Sequence, residues 1–207
     1  MDSERELART HHVSLMTARH ALAELEREGL VERRRGSGTF VAPPKIQFNR
    51  LTSFTEQMAM RSLSPQSKVL SSRIIQSEPD IAARLGLTPI APLLAIERLR
   101  QAAGEPFALE MCYFSAQQYG SLARAPLQRQ SLFLVLEKDF GAELAYSDEN
   151  IDATIADPHL ARLLGIPRGS PLLRIRQVIF SNMGNPITYV LGLYRSDRHT
   201  FTIRRTR

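Results

Sequence analysis

The chain has a single cysteine, so no disulfide can form within its 207 residues. Cys112 lies in the apolar run Leu109 to Phe114 and reads as a buried structural thiol rather than a reactive one. No apolar run reaches the roughly 18 residues that a transmembrane helix needs, and no basic-then-apolar leader opens the chain. Only His159 and His199 of the five histidines lie beyond residue 42. There is no Ser-His-Asp arrangement, no nucleophile elbow and no His/Cys cluster at metal-ligand spacing; His11-His12 is an isolated turn pair. These absences speak against an enzyme, a metal site, a cofactor and a membrane partner, and point to a soluble cytoplasmic protein. What is present is 43% apolar residues, enough to build a core and to argue against disorder.

The net charge of +6 is unevenly placed. Residues 1–42 hold seven basic and seven acidic side chains, a balance of zero, so residues 43–207 carry the whole excess of twenty over fourteen. Overall basicity therefore says little about nucleic acid, and local placement decides.

Ser3-Glu4-Arg5-Glu6 reads as a capping box opening a helix over about 3–10. His11-His12-Val13 is a turn, and Ser14 caps a second helix running to Glu28, with Gly29 ending it in left-handed conformation. Ala18, Ala21, Leu22 and Leu25 follow helical spacing and form its expected buried stripe. Met16 and His20 point the opposite way, flanked by Thr17 and Arg19. The acids Glu24, Glu26 and Glu28 stay at the back, so the front suits a DNA groove; an ordinary solvated face is the alternative.

The stretch "VERRRGSGTFVAPP" (31–44) decides between them. A phosphate-cradling loop needs a helix after its glycines. Here Thr39-Phe40-Val41 favours a strand, and Pro43-Pro44 stops any helix. Leu30 to Arg34 and Thr39 to Ala42 then form a hairpin with Gly36-Ser37-Gly38 at its tip. Arg33, Arg34 and Arg35 beside that tip make a wing for phosphates or the minor groove.

This order resembles the winged helix-turn-helix domain of the GntR family of bacterial transcription regulators. The matching residues are Ser3-Glu4-Arg5-Glu6-Leu7-Ala8, Val13 to Arg19, Gly29-Leu30-Val31 and Gly36 to Val41. The resemblance implies DNA contacts by Arg5, Arg19 and the wing residues Gly36, Ser37, Gly38 and Thr39, with Ser14 and Thr17 at the front of the recognition helix. Leu15 stands where the family usually has arginine, which implies an altered operator. The family also has about thirty residues before Ser3, including a first helix; their absence points to a mis-assigned start or a shortened chain. The chain as written is therefore expected to leave Leu7, Ala21, Leu22 and Leu25 partly uncovered and to bind DNA weakly.

Residues 43–50 read as a linker, followed by a helix near 54–61 and a strand near 67–76. Then comes an internal repeat. Residues 79–96, "PDIAARLGLTPIAPLLAI", align with 158–175, "PHLARLLGIPRGSPLLRI", at an offset of 79, with eight identities; Gly104-Glu105-Pro106 matches Gly184-Asn185-Pro186 at an offset of 80. Each copy is a short helix, a glycine stop and a long hairpin, and two such hairpins can form one antiparallel sheet with pseudo-twofold symmetry. A helix near 131–140 and a strand near 143–156 separate the copies.

From Leu51 onward the layout resembles the UTRA effector-binding domain, of chorismate-lyase-like fold, found in the HutC subfamily of GntR regulators. The matching motifs are Ser53 to Glu56, Glu97 to Arg100, Gly104 to Pro106, Ser131-Leu132, Leu164-Gly165 and Tyr194 to Arg198. The expected architecture is thus α+β: a partial winged helix-turn-helix over 1–42, a linker over 43–50, and an effector-binding and dimerisation domain over 51–207.

Arg98 and Arg100 sit two apart on a strand and project from one face. Paired guanidinium forks suit a phosphate or carboxylate, and Ser53 and Thr55 at a helix start add free amides. Alternatively the arginines pair with Glu97, Glu105 or Glu110. The resemblance implies effector contacts by Phe54, Thr55, Arg98, Arg100, Glu110, Ser131 and Tyr194; Thr188 stands where sugar-phosphate-sensing members often carry an acid. The function expected is an operator-binding homodimer, acting as a repressor on palindromic double-stranded DNA, released by a small anionic effector. A chorismate-lyase-like enzyme and a ligand-independent DNA-binding protein are the rival readings.

Overall fold

The computed structural model describes residues 3–27, 31–34, 38–41, 46–47 and 51–200, in two compact units, Met1–Lys45 and Ile46–Arg207.

In the first unit, α1 (Glu4–Thr10) starts at the capping box read from the sequence: Glu6 N–H donates to Ser3 Oγ and Ser3 N–H to Glu6 Oε2. The helix α2 (Leu15–Arg27) begins where Thr17 N–H donates to Ser14 Oγ, at 3.1 Å. Strands β1 (Val31–Arg34) and β2 (Gly38–Val41) pair antiparallel, with Arg34 opposite Gly38. Gly38 has φ +106°, a value that favours glycine. The buried stripe of α2 is narrower than its spacing predicts. Ala18 and Leu22 are buried and Leu25 half-buried, but Ala21 is exposed. Among the described residues α1 and β1 are the elements packed on α2, and Ala21 stays exposed beside them. The expected left-handed Gly29 and the tip residues Arg35, Gly36 and Ser37 lie outside the described residues.

The second unit is built on one six-stranded antiparallel sheet. Its strands are β4 (Pro65–Ile75), β5 (Leu93–Ala102), β6 (Glu105–Ser115), β7 (Leu144–Ile155), β8 (Pro171–Ser181) and β9 (Pro186–Arg195), in spatial order β4-β5-β6-β9-β8-β7. The repeat explains that order. The hairpins β5–β6 and β8–β9 meet at β6 and β9, and Met111 faces Leu191, its own counterpart at an offset of 80. The pseudo-twofold axis therefore passes between these two residues. Gly104 and Gly184 close the two hairpins with the same φ, +79°.

The helix and strand expected to separate the copies belong to the second one. α3 (Phe54–Ala59) with β4 precedes the first copy, which ends in the short helix α5 (Ala116–Tyr119), as α6 (Leu132–Phe140) with β7 precedes the second. The repeated unit is thus helix, strand, helix, hairpin. Its inner helices, α4 (Pro79–Arg84) and α7 (Pro158–Leu164), bury Ile81, Leu85, Ala161 and Leu164 against one side of the sheet. On the other side, α6 buries Leu132, Val135 and Leu136 against Leu94, Ile96, Cys112 and Phe114, while Phe54 and Met58 of α3 pack with Ala102 and Phe107. Ile46 and Gln47, inside the stretch expected as linker, form β3, which pairs in parallel with His199 and Thr200 (β10).

Candidate functional site

Even-numbered residues of β5, β6 and β9 share the sheet face beneath α3 and α6, because side chains alternate along a strand. That face carries Arg98, Arg100, Glu110, Cys112, Thr188, Val190 and Tyr194, all walls of a cavity of about 60 Å3. The space is enough for a few water-sized groups. Ser53, Phe54 and Gln57 close it from α3, and Ser131, Leu132 and Phe133 from the start of α6.

Its centre is a buried charge cluster. Arg98 Nη2 donates to Glu110 Oε2 at 2.9 Å, and Arg100 Nη1 approaches the same oxygen at 3.6 Å. Tyr194 Oη donates to the other carboxylate oxygen at 3.0 Å. Of the alternative partners, Glu110 is the one found. One carboxylate thus serves two guanidiniums, leaving a net charge of +1 in a site where all three side chains are about nine-tenths buried or more. Burial would lift the Glu110 carboxyl, but Arg100 and Arg98 outweigh it and hold it below the usual carboxylate range. Burial, then the like charge of Arg98, pushes Arg100 down to about 10. Burial and the Glu110 charge raise Tyr194, which keeps its proton for the bond to Glu110. Among the described residues Arg98 Nε and Nη1 and Arg100 Nε have no hydrogen-bond partner. Buried guanidinium nitrogens left this way are costly, and an entering anion satisfies them.

The two helix starts at the cavity differ. Ser53 is spent on its own capping box, accepting from Glu56 N–H while its own N–H goes to Glu56 Oε2. Ser131 caps α6 without a side-chain capping bond, and the first residues of that nine-residue helix, Leu132 and Phe133, line the cavity. The guanidinium carbon of Arg100 lies 4.5 Å from the centre of the Phe54 ring, tying α3 to the charge cluster.

The structure brings together eight of the nine residues expected around an effector. Thr55 is the exception: the turn of α3 that aims Ser53, Phe54 and Gln57 inward leaves it off the wall. Thr188 is on the wall, but its hydroxyl donates to the Tyr113 carbonyl at 3.0 Å. Cys112 is buried as expected, with Arg98 Nη2 3.6 Å from its sulfur. Sequence reasoning missed Gln57, Glu149, Gln177 and Ile179. The repeat held a signal for two of them, since an offset of 79 carries Arg98 onto Gln177 and Arg100 onto Ile179.

In the first unit Arg5, Ser14, Met16, Thr17, Arg19 and His20 are exposed. Ser14 Oγ and Thr17 Oγ1 are 2.8 Å apart, and Arg19 Nε pairs with Glu4 Oε2 at 3.0 Å. Thr39 is half-buried on β2. The side chains of Arg33 and Arg34, like Arg35, Gly36 and Ser37, lie outside what is described.

A helix pair followed by a hairpin wing, joined to a separate sheet unit that encloses a cavity, is the build of a DNA-binding transcription regulator. Residues 3–41 match the gntR family of bacterial regulatory proteins and residues 60–200 the UTRA domain, and the chain belongs to this family. It is 33% identical over 203 residues to the HTH-type transcriptional repressor NagR of Bacillus subtilis, covering 97% of this chain and 83% of that one. It is 32% identical over 201 residues to the repressor PhnF of Mycolicibacterium smegmatis, covering 97% and 82%. The crystal structure of PhnF from Mycobacterium smegmatis superposes with a TM-score of 0.89 at 31% identity, over 100% of this chain and 92% of that one. These relatives are regulators, not enzymes. No helix among the described residues is long and apolar enough to cross a membrane.

Proposed function

We propose that the chain is a cytoplasmic repressor that binds a palindromic operator as a homodimer and is released by a small anion held between Arg98 and Arg100. One observation carries the anion: two buried guanidiniums share a single carboxylate and keep three nitrogens unpaired beside a cavity. The open start of α6 adds a favourable dipole. Base contacts fall to Met16, Thr17, Arg19 and His20, supported by Arg5 and Ser14. Arg33 to Arg35 and the tip from Gly36 to Thr39 take the phosphates. A single recognition helix makes few base contacts, and two-fold symmetry doubles them. The UTRA half carries the dimer contact.

Chain order links cavity to operator. Phe54 packs on Arg100 and begins only a few residues after the segment that leads out of the winged unit. An anion that draws Phe54 and the arginines together moves that segment, and two half-sites tolerate one spacing. A preference of about 2.7 kcal/mol for the displaced state shifts the balance about a hundredfold. Gel shifts with Arg98→Ala and Arg100→Ala test this: operator binding persists and release by the natural effector is lost. Release by that effector from both variants would place the anion elsewhere. Light scattering on residues 43–207 tests the dimer, and a clean monomer at micromolar concentration would refute it.

A further inference from the structure

When a helix-turn-helix docks in the major groove, the first turn of its second helix meets the base edges. In this chain that turn opens α2. From Val13 to His20 the sequence has no aspartate, glutamate, asparagine, glutamine or lysine. The bidentate readers of adenine and the acceptors for cytosine are thus missing from this end. Arg19 and His20 lie a turn further along, and the Arg19 guanidinium is paired with Glu4 Oε2 at 3.0 Å. The two hydroxyls serve the helix start: Ser14 Oγ accepts from Thr17 N–H and lies 2.8 Å from Thr17 Oγ1.

What remains at the leading end is apolar. Val13 and Leu15 are each 40% exposed and Met16 is 55% exposed. Singly exposed apolar side chains are ordinary surface. Here three of the four residues from Val13 to Met16 form a patch, and it stands where the helix enters the groove. The buried stripe of α2 runs through Ala18 and Leu22, one and two turns behind it.

The major groove offers one apolar group, the C5 methyl of thymine. The structure assigns Leu15 and Met16 as readers of that methyl, so that the operator carries thymine, on either strand, at the base pairs under the leading turn of α2. This rests on α2 being the helix that enters the groove. Leu15 thereby joins Met16 as a specificity residue, ahead of the polar contacts of Arg19 and His20. A G·C pair at those positions would turn N7, O6 and N4 toward hydrocarbon and leave them without partners.

Selection from a random duplex library with the full chain supplies the probe, which is expected to carry thymines under the leading turn. Each thymine is then replaced by deoxyuridine, a change that removes one methyl from the groove and keeps every donor and acceptor of the base edge. Binding should weaken about three- to fivefold at each thymine in contact. Leu15→Ala should bring this uracil penalty toward one at one position, and Met16→Ala at a neighbouring one. Leu15→Met, which keeps an apolar chain of similar size, should retain most of the penalty. Each penalty compares two duplexes on the same protein, so a variant that folds less fully does not mimic the effect. Leu15→Arg should move the selected base toward guanine. Selected sites in which every thymine can be exchanged for uracil without loss overturn the inference. So does a penalty that persists undiminished in Leu15→Ala, in Met16→Ala and in the double variant. A library that yields no preferred sequence refutes α2 as the reading helix and the inference with it.

Discussion

The ring of Tyr194 lies across Gly192, two residues earlier on β9, so closely that a Cβ on Gly192 would sit 2.8 Å from the ring carbon Cζ and 2.9 Å from the phenol oxygen. Gly192 also faces Glu110 across the sheet. The missing side chain is the room that lets the phenol fold down and donate to the carboxylate.

Gly192→Ala is therefore expected to push Tyr194 off Glu110 and to destabilise the fold by about 1–3 kcal/mol. Tyr194→Phe removes the hydrogen bond but keeps the ring and is the milder change. Both should weaken phosphate binding measured by calorimetry. A crystal structure of Gly192→Ala with the Tyr194–Glu110 bond intact would show that the packing argument is wrong.

Glu110→Gln leaves two buried guanidiniums without their counter-charge. Chemical denaturation should show a loss of about 3 kcal/mol. Added phosphate or sulfate should restore more stability to this variant than to the unaltered protein, because the anion replaces the lost charge. Equal gains in both proteins would mean that the anion does not enter this cluster.

The two elements proposed to meet DNA should behave differently. Alanine at Arg33, Arg34 or Arg35, wherever it removes a phosphate contact, should weaken binding to every sequence and lower the salt slope by about one unit. Changes at Met16, Thr17, Arg19 or His20 should alter which bases are preferred. Arg19 must first leave Glu4, an exposed ion pair that costs about 1 kcal/mol or less to break. Selection from a random operator library distinguishes these effects, and a reversed pattern would exchange the two roles.

His199 sets an acid limit on the fold. It is buried between Phe107 and Tyr194, and its Nδ1 lies 2.9 Å from the Arg195 carbonyl. Burial, with a smaller push from Arg61, takes it from 6.5 down to about 3, although Asp197 pulls the other way. The unfolded chain therefore binds a proton at a higher pH than the folded one. Stability is full above about pH 6.5 and falls by up to about 1.4 kcal/mol per unit as pH drops toward 3. His199→Gln should flatten that fall in melting curves between pH 7 and 5; an unchanged slope would assign it to other groups.

Legibility in the sequence followed the reach of the interactions. Capping boxes span four residues, so Ser3–Glu6 and the start of α3 at Ser53 can be read directly. Turn glycines hold φ values that other residues resist, so Gly104 and Gly184 kept the repeat visible and with it the joining of two hairpins in one sheet. Helix α3 and strand β4 diverged from α6 and β7 because they need only apolar spacing, and their membership of the repeat was hidden. Cavity walls depend on register across the sheet: Arg98 and Glu110 meet because they pair, and the sequence alone left Glu97 and Glu105 open as alternative partners. Thr55 lies off the cavity wall, because proximity to Ser53 along the chain says nothing about which side of α3 it occupies.

The axis between Met111 and Leu191 bears on how the cavity's assembly depends on concentration. A cavity straddling a true two-fold would form only when two chains met, and its occupancy would fall on dilution. Here both halves are covalently joined, so the partner half is present at a fixed effective concentration. The described wall residues of both halves are therefore present together in every copy, however few copies a cell holds. Asymmetry is also free to accumulate, because a substitution at Arg98 is not imposed on Gln177.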